Sequence, residues 1–158
     1  MLDSFLRFGY HSRVDRLKNK VLVVIGGTSG LGLSAALAFA REDGKVVIVG
    51  RDKTKVGFAV KELGRFGAGF AADATSPGTA TKAIQLAMKR FGGFHGLYHV
   101  AGGSGRRKGD GPLHEITDAG WEFTLNMNLT SLFYSNRAAV LEFLKQGRGG
   151  AILNMGSV

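Results

Sequence analysis

The chain has 158 residues, 44% of them hydrophobic and only two of them proline, a composition that specifies one packed domain and excludes a disordered tail. The absence of cysteine excludes disulfides, thiolate metal sites and a cysteine nucleophile, no metal site is expected, and no apolar stretch reaches bilayer-spanning length. The formal charge of +9 is spread over the N-terminal segment, the helices and Arg106-Arg107-Lys108 rather than gathered in a basic helical stripe, so phosphorylated or acidic small molecules are the expected partners, with no nucleic acid and no membrane.

Residues 1–17 read as a basic N-terminal extension and residues 18–158 as the folded domain. The extension lacks the apolar core of a secretory signal. Leu2, Phe5, Leu6 and Phe8 could share a helical face, as in a mitochondrial presequence, but Asp3 and Asp15 count against one. A cytoplasmic protein is therefore expected, with the mitochondrial matrix as the alternative.

Val21 to Ile25 is an apolar, mostly β-branched run, the pattern of a parallel strand buried on both faces. A glycine-rich turn with Gly26, Gly30 and Gly32 follows, and a helix pattern runs from Leu33 to Arg41. Such a strand, turn and helix aim backbone N–H groups and the positive helix end at one spot, which suits a pyrophosphate. Lys45 to Gly50 is a second buried strand, with Gly44 as the helix stop before it. Asp52 is placed to cap a helix through about Arg65, whose apolar face is Val56, Phe58, Ala59, Val60 and Leu63. Gly67 to Ala72 reads as a third strand. Thr75-Ser76-Pro77 opens the next helix, with Ala83, Ile84, Ala87 and Met88 inward. Gly96 to Val100 is strand four, Ala101 to Pro112 a glycine-rich basic loop, Asp118 to Lys145 a long helix and Ala151 to Met155 strand five. Strands alternating with helices at this spacing predict an α/β fold of Rossmann type, a doubly wound parallel sheet in the order 3-2-1-4-5 with a ligand over the carboxyl ends.

From about Lys18 to Val158 the chain resembles the short-chain dehydrogenase/reductase family, and it ends just after the family's serine position. The family's turn usually reads Thr-Gly-x-x-x-Gly-Ile-Gly; here Ile25 and Leu31 stand at the Thr and Ile positions. The resemblance implies a nicotinamide cofactor held by Gly26, Thr28, Ser29, Gly30, Leu31 and Gly32. Gly50 stands where NAD-dependent relatives usually have Asp, and Arg51 follows. A guanidinium can grip a phosphate through two parallel bonds. At about 1.5–3 kcal/mol each, such bonds support a roughly ten- to hundredfold preference for NADP(H).

Asp73 matches the aspartate that contacts the adenine amino group in the family, with the Ala74 backbone beside it; a plain turn cap is the alternative. His99-Val100-Ala101-Gly102 stands where the family usually has Asn-Asn-Ala-Gly. Ala101 and Gly102 keep the backbone near the cofactor, whereas His99, inside a buried strand, reads as structural rather than as a base. Asn128 matches the asparagine of the catalytic tetrad, at a helix distortion, and Ser157 matches the serine that hydrogen-bonds the substrate oxygen. The tyrosine acid, about a dozen residues beyond that serine in relatives, and the lysine four further on lie outside these 158 residues. Tyr10, Tyr98 and Tyr134 are in the wrong segments to replace it.

The resemblance thus implies an NADP(H)-dependent oxidoreductase moving hydride between nicotinamide and a carbonyl or secondary alcohol. The complete protein is expected to be a homo-oligomer, and the isolated chain inactive. A nucleotide-binding or structural subunit without turnover is the alternative, and the mass of the intact protein separates the two.

Overall fold

Val21–Ile25 forms the central strand, β1, and its side chains alternate between two cores. Val21, Val23 and Ile25 enter one and Val24 the other, all nearly inaccessible to water. A strand covered on both faces has no polar side to present, which is why its sequence is apolar without interruption. The structure, a computed structural model, describes residues 15–156.

Strands β2 (Lys45–Gly50), β3 (Gly67–Ala71), β4 (Gly96–His99) and β5 (Ala151–Asn154) complete a five-stranded sheet in the predicted order β3-β2-β1-β4-β5. Every neighbouring pair is parallel, with Val23 opposite Val47 on one side and Leu97 on the other. Helices α1 (Gly30–Arg41) and α2 (Lys53–Leu63) cover one face through Ala36, Ala40, Ala59 and Leu63. Helix α3 (Thr79–Phe91) and the later helix α5 (Ser131–Lys145) cover the other through Ala80, Ala83, Ile84, Ala87 and Ala139. Phe94 and Phe143 stack beneath them at 4.8 Å between ring centroids.

Several local expectations are corrected. The stop after α1 is made by Asp43, at φ 65°, not by Gly44. The Gly44 N–H instead closes the turn onto the Phe39 carbonyl at 2.9 Å and that of Asp43 onto Ala40 at 3.1 Å, a Schellman pairing. Helix α3 starts at Thr79, two residues after Pro77, because Asp73 captures the preceding turn: its Oδ1 accepts from the N–H and the hydroxyl of Thr75, each at 2.8 Å. Phe58 is exposed rather than inward. The long helix is not uniform. Helix α4 (Asp118–Leu125) passes into α5 through a π-turn over Asn126–Thr130. The Asn128 and Ser131 side chains donate to the carbonyls four residues back, at Thr124 and Met127, in competition with the backbone, which favours such a departure.

Residues 1–14 of the predicted extension lie outside the described residues. From Asp15 the backbone is tied to the end of α1 by the Leu17 N–H on the Glu42 carbonyl and by an Arg16–Glu42 ion pair, each at 3.0 Å. No helix among the described residues is long and apolar enough to cross a membrane.

Candidate functional site

Parallel strands all deliver their carboxyl ends to one edge of the sheet, and the loops there enclose a cleft of about 230 Å³. At its centre the chain leaves β1 through Gly26, whose φ of +93° is strained for any residue with a side chain. A Cβ there would also stand 2.7 Å from the Ala101 nitrogen, and one on Gly32 would run into the Gly26 carbonyl. The turn can therefore pack against both β4 and its own helix only with glycine at these positions. Ser29 precedes α1 without any side-chain hydrogen bond to the helix, and no acidic residue lies in the first turn. The donors and positive end of α1 are left facing the cleft. Helix α2 contrasts, its first turn capped by Asp52 Oδ1 accepting from the Thr54 and Lys55 N–H groups at 2.8 and 3.1 Å.

Gly26, Thr28 and Ser29 form one wall, Arg51 the mouth of β2, Asp73 and Ala74 the far side, and Ala101 and Gly102 the floor. Gly30, Leu31 and Gly32 are not in these walls; Leu31 projects outward beside them, 63% exposed. The space a side chain would take at Gly50 belongs to Thr28, whose Cγ2 and Oγ1 would lie 2.5 Å from a Cβ there. Asp73 does cap a turn through Oδ1. The bonds from Thr75 hold its carboxyl below the usual carboxylate range, with the positive charge of Arg51 acting in the same direction and burial opposing. Val100 and Met127 also line the cleft and were not anticipated. Met127 lies in the π-turn, a departure its residue type does not announce.

A second cleft, about 650 Å³, adjoins the first across Ala101 and Gly102 and reaches Asn128, Leu132, Met155 and Gly156. Ser157, next in the chain, lies outside the described residues. Asn128 grips the Gly103 backbone from both sides: Oδ1 accepts the N–H and Nδ2 donates to the carbonyl, each at 2.9 Å. Nδ2 also donates to the Thr124 carbonyl at 3.0 Å. Gly102 makes room for this, since a Cβ there would stand 2.8 Å from Asn128 Oδ1. Arg106, Arg107 and Lys108 are exposed and line neither cleft.

His99 lines the second cleft and stands two residues before the floor that the clefts share. It is 2% exposed, with Nδ1 2.9 Å from Ser135 Oγ and Nε2 3.0 Å from the Ala101 carbonyl. Burial pushes its pKa down against the opposing pull of that carbonyl, so the ring is neutral. Since a carbonyl only accepts, the proton sits on Nε2, and Nδ1 faces the Ser135 hydroxyl, whose one proton is shared between Nδ1 and the Ser131 carbonyl 3.1 Å away. The structural reading of this histidine agrees with the geometry. Ser131 and Ser135, its partners, were missed by sequence reasoning. The available signal was a pair of small polar residues four apart in a helix stripe that continues with Ala139. Among the described residues no group of three or more His, Cys, Asp or Glu could hold a metal ion.

The short chain dehydrogenase family profile matches residues 20–158, and the chain belongs to that family. It is 35% identical over 147 residues to 2-(S)-hydroxypropyl-CoM dehydrogenase 3 of Xanthobacter autotrophicus, a match covering 91% of this chain and 56% of that one. It is 32% identical over 149 residues, at the same coverage, to an NADP-dependent (R)-specific alcohol dehydrogenase of Lentilactobacillus kefiri. The crystal structure of a short chain dehydrogenase from Bacillus anthracis superposes with a TM-score of 0.79 at 30% identity, over 89% of this chain and 56% of that one. The chain spans about half the length of the relatives it matches.

Proposed function

We propose that the complete protein is an NADP(H)-dependent oxidoreductase acting on a small carbonyl or secondary alcohol, homo-oligomeric when complete. When bound, the nicotinamide cofactor supplies or accepts the hydride. The residues present fit such a group. The uncapped start of α1, with Gly26, Thr28, Ser29, Gly30, Leu31 and Gly32 around it, would hold the pyrophosphate side. Asp73 and Ala74 would hold the adenine, Asp73 through the oxygen that Thr75 does not use. Ala101 and Gly102 would bring backbone close to the cofactor. Asn128 fixes the loop that separates the two clefts, and Ser157 would orient the substrate oxygen. A tyrosine and lysine following that serine, as the family pattern has them, would supply the proton; the 158 residues here do not contain that pair and by themselves are expected to be inactive.

The observation that carries the cofactor assignment is Arg51 at the mouth of the cleft beside Gly50, where an acidic side chain would repel a 2′-phosphate and where Thr28 fills the space instead. Fluorescence titration with NADPH and NADH tests it. NADPH is expected to bind roughly ten- to a hundredfold more tightly, and Arg51→Ala to remove most of that difference. Equal affinities in the unaltered protein would overturn the assignment.

A further inference from the structure

His99 is the last residue of β4, and two residues later the chain forms the floor shared by both clefts. The π-turn lies directly across from it on the helix. There the Ser131 N–H bonds five residues back, to the Asn126 carbonyl, instead of four back to Met127. The Met127 carbonyl, deprived of that donor, is taken by the Ser131 hydroxyl at 2.7 Å. The Ser131 oxygen in turn lies 3.3 Å from His99 Nε2, so one imidazole N–H is shared between the Ala101 carbonyl and Ser131 Oγ. Ser135 completes the enclosure at Nδ1. The π-turn and the cleft floor are therefore joined twice. One link is exposed, from Asn128 to Gly103. The other is buried, running from Ala101 through His99 and Ser131 to Met127.

We propose that His99 is a positioning residue: its buried Nε2–H locks the cofactor-cleft floor at Ala101 to the π-turn that carries Met127 and Asn128. This rests on the cofactor reading above for what the floor serves, but not for the linkage itself. An imidazole suits the task because its two nitrogens face opposite ways. Nε2 reaches the floor and the π-turn while Nδ1 is anchored on Ser135, so the ring cannot swing without breaking both. Polar groups enclosed in low dielectric rigidify their surroundings when fully satisfied, and the exposed Asn128–Gly103 link alone competes with water for every bond.

The test uses the ¹⁵N-labelled chain and side chains of matched reach. Glutamine extends an amide nitrogen as far as imidazole Nε2, whereas asparagine reaches only as far as Nδ1. His99→Gln is expected to keep the Asn128 side-chain amide resonances and NADPH affinity near those of the unaltered chain. His99→Asn and Ser131→Ala are expected to move those resonances toward solvent-exposed values and to weaken NADPH binding roughly three- to tenfold, the size of one neutral hydrogen bond. A merely space-filling histidine would make both His99 variants lower the melting temperature alike while leaving Asn128 and the dissociation constant untouched. Ring nitrogen shifts of the unaltered chain need no variant. A proton on Nε2 with a bare Nδ1 supports the linkage, and the reverse tautomer overturns it. Should the unaltered chain bind neither NADPH nor NADH, the cofactor reading fails by itself. The tautomer and the Asn128 resonances then still decide the linkage.

Discussion

At the residue scale, the glycine turn was the most legible part of the site, because the need for glycine is steric and local. Gly26 carries its positive φ and Gly32 its close approach to the Gly26 carbonyl. Gly32→Ala is accordingly expected to cost about 1–3 kcal/mol, the range for inserting a methyl into packed structure. It should also impair NADPH binding, because the displaced carbonyl belongs to the cleft. Denaturant midpoints and a cofactor titration measure the two effects, and an unchanged midpoint would show that α1 can slide away freely. Residues whose role depends on a distant partner were not legible. Nothing near Gly50 in the sequence says that Thr28 fills its side-chain space, and nothing near His99 says that two helix serines thirty-two and thirty-six residues later enclose it.

At the element scale, every strand was recognisable from its apolar run, and the alternation of strands with helices was enough for the sheet order. Element ends were less so, since Asp73 and Asp43 set two of them through side-chain or backbone geometry that a periodicity does not encode. Strand β5 leaves apolar surface exposed at an edge of the sheet. Among the described residues it pairs only with β4, and Leu153 within it is 56% and Met155 just after it 40% exposed. An edge of this kind offers unpaired N–H and C=O groups alongside an apolar surface. The 158-residue chain is therefore expected to self-associate through this edge, and Leu153→Lys to reduce the association. Light scattering across a concentration series checks both. A monodisperse monomer before the substitution would show the edge to be benign.

For the molecule as a whole, stability is tied to pH through two histidines that the fold requires to be neutral. His95 Nδ1 accepts the Val21 N–H at 3.0 Å at the start of β1, and burial, then the charges of Arg148 and Lys20, push its pKa down. His99 is pushed down by burial as described. In the unfolded chain both titrate near 6.5. Below that value the unfolded state takes up protons that the folded state refuses, so stability falls as the pH drops until the lowered folded values are passed. Asp73 works in the same direction further into acid, its contribution present above the unfolded carboxylate value and lost as the pH falls through the folded one. Urea midpoints are expected to decline steadily from about pH 7.5 to 5.5, and a flat profile over that interval would mean that neither ring resists protonation.

Because the strands of the sheet all run the same way, the two clefts described above open at one rim and helix-to-strand turns gather at the other. Ile25, Gly50, Ala71 and His99 all end at the clefts, while the turns at Asp43, at Gly64 and at Gln146 to Gly149 lie at the opposite rim. Gly149 is exposed there, and a Cβ on it would meet no neighbour. The rim opposite the two clefts is the natural handle of this protein. A surface tether or reporter group attached at residue 149 would leave the cleft mouth pointing freely into solution.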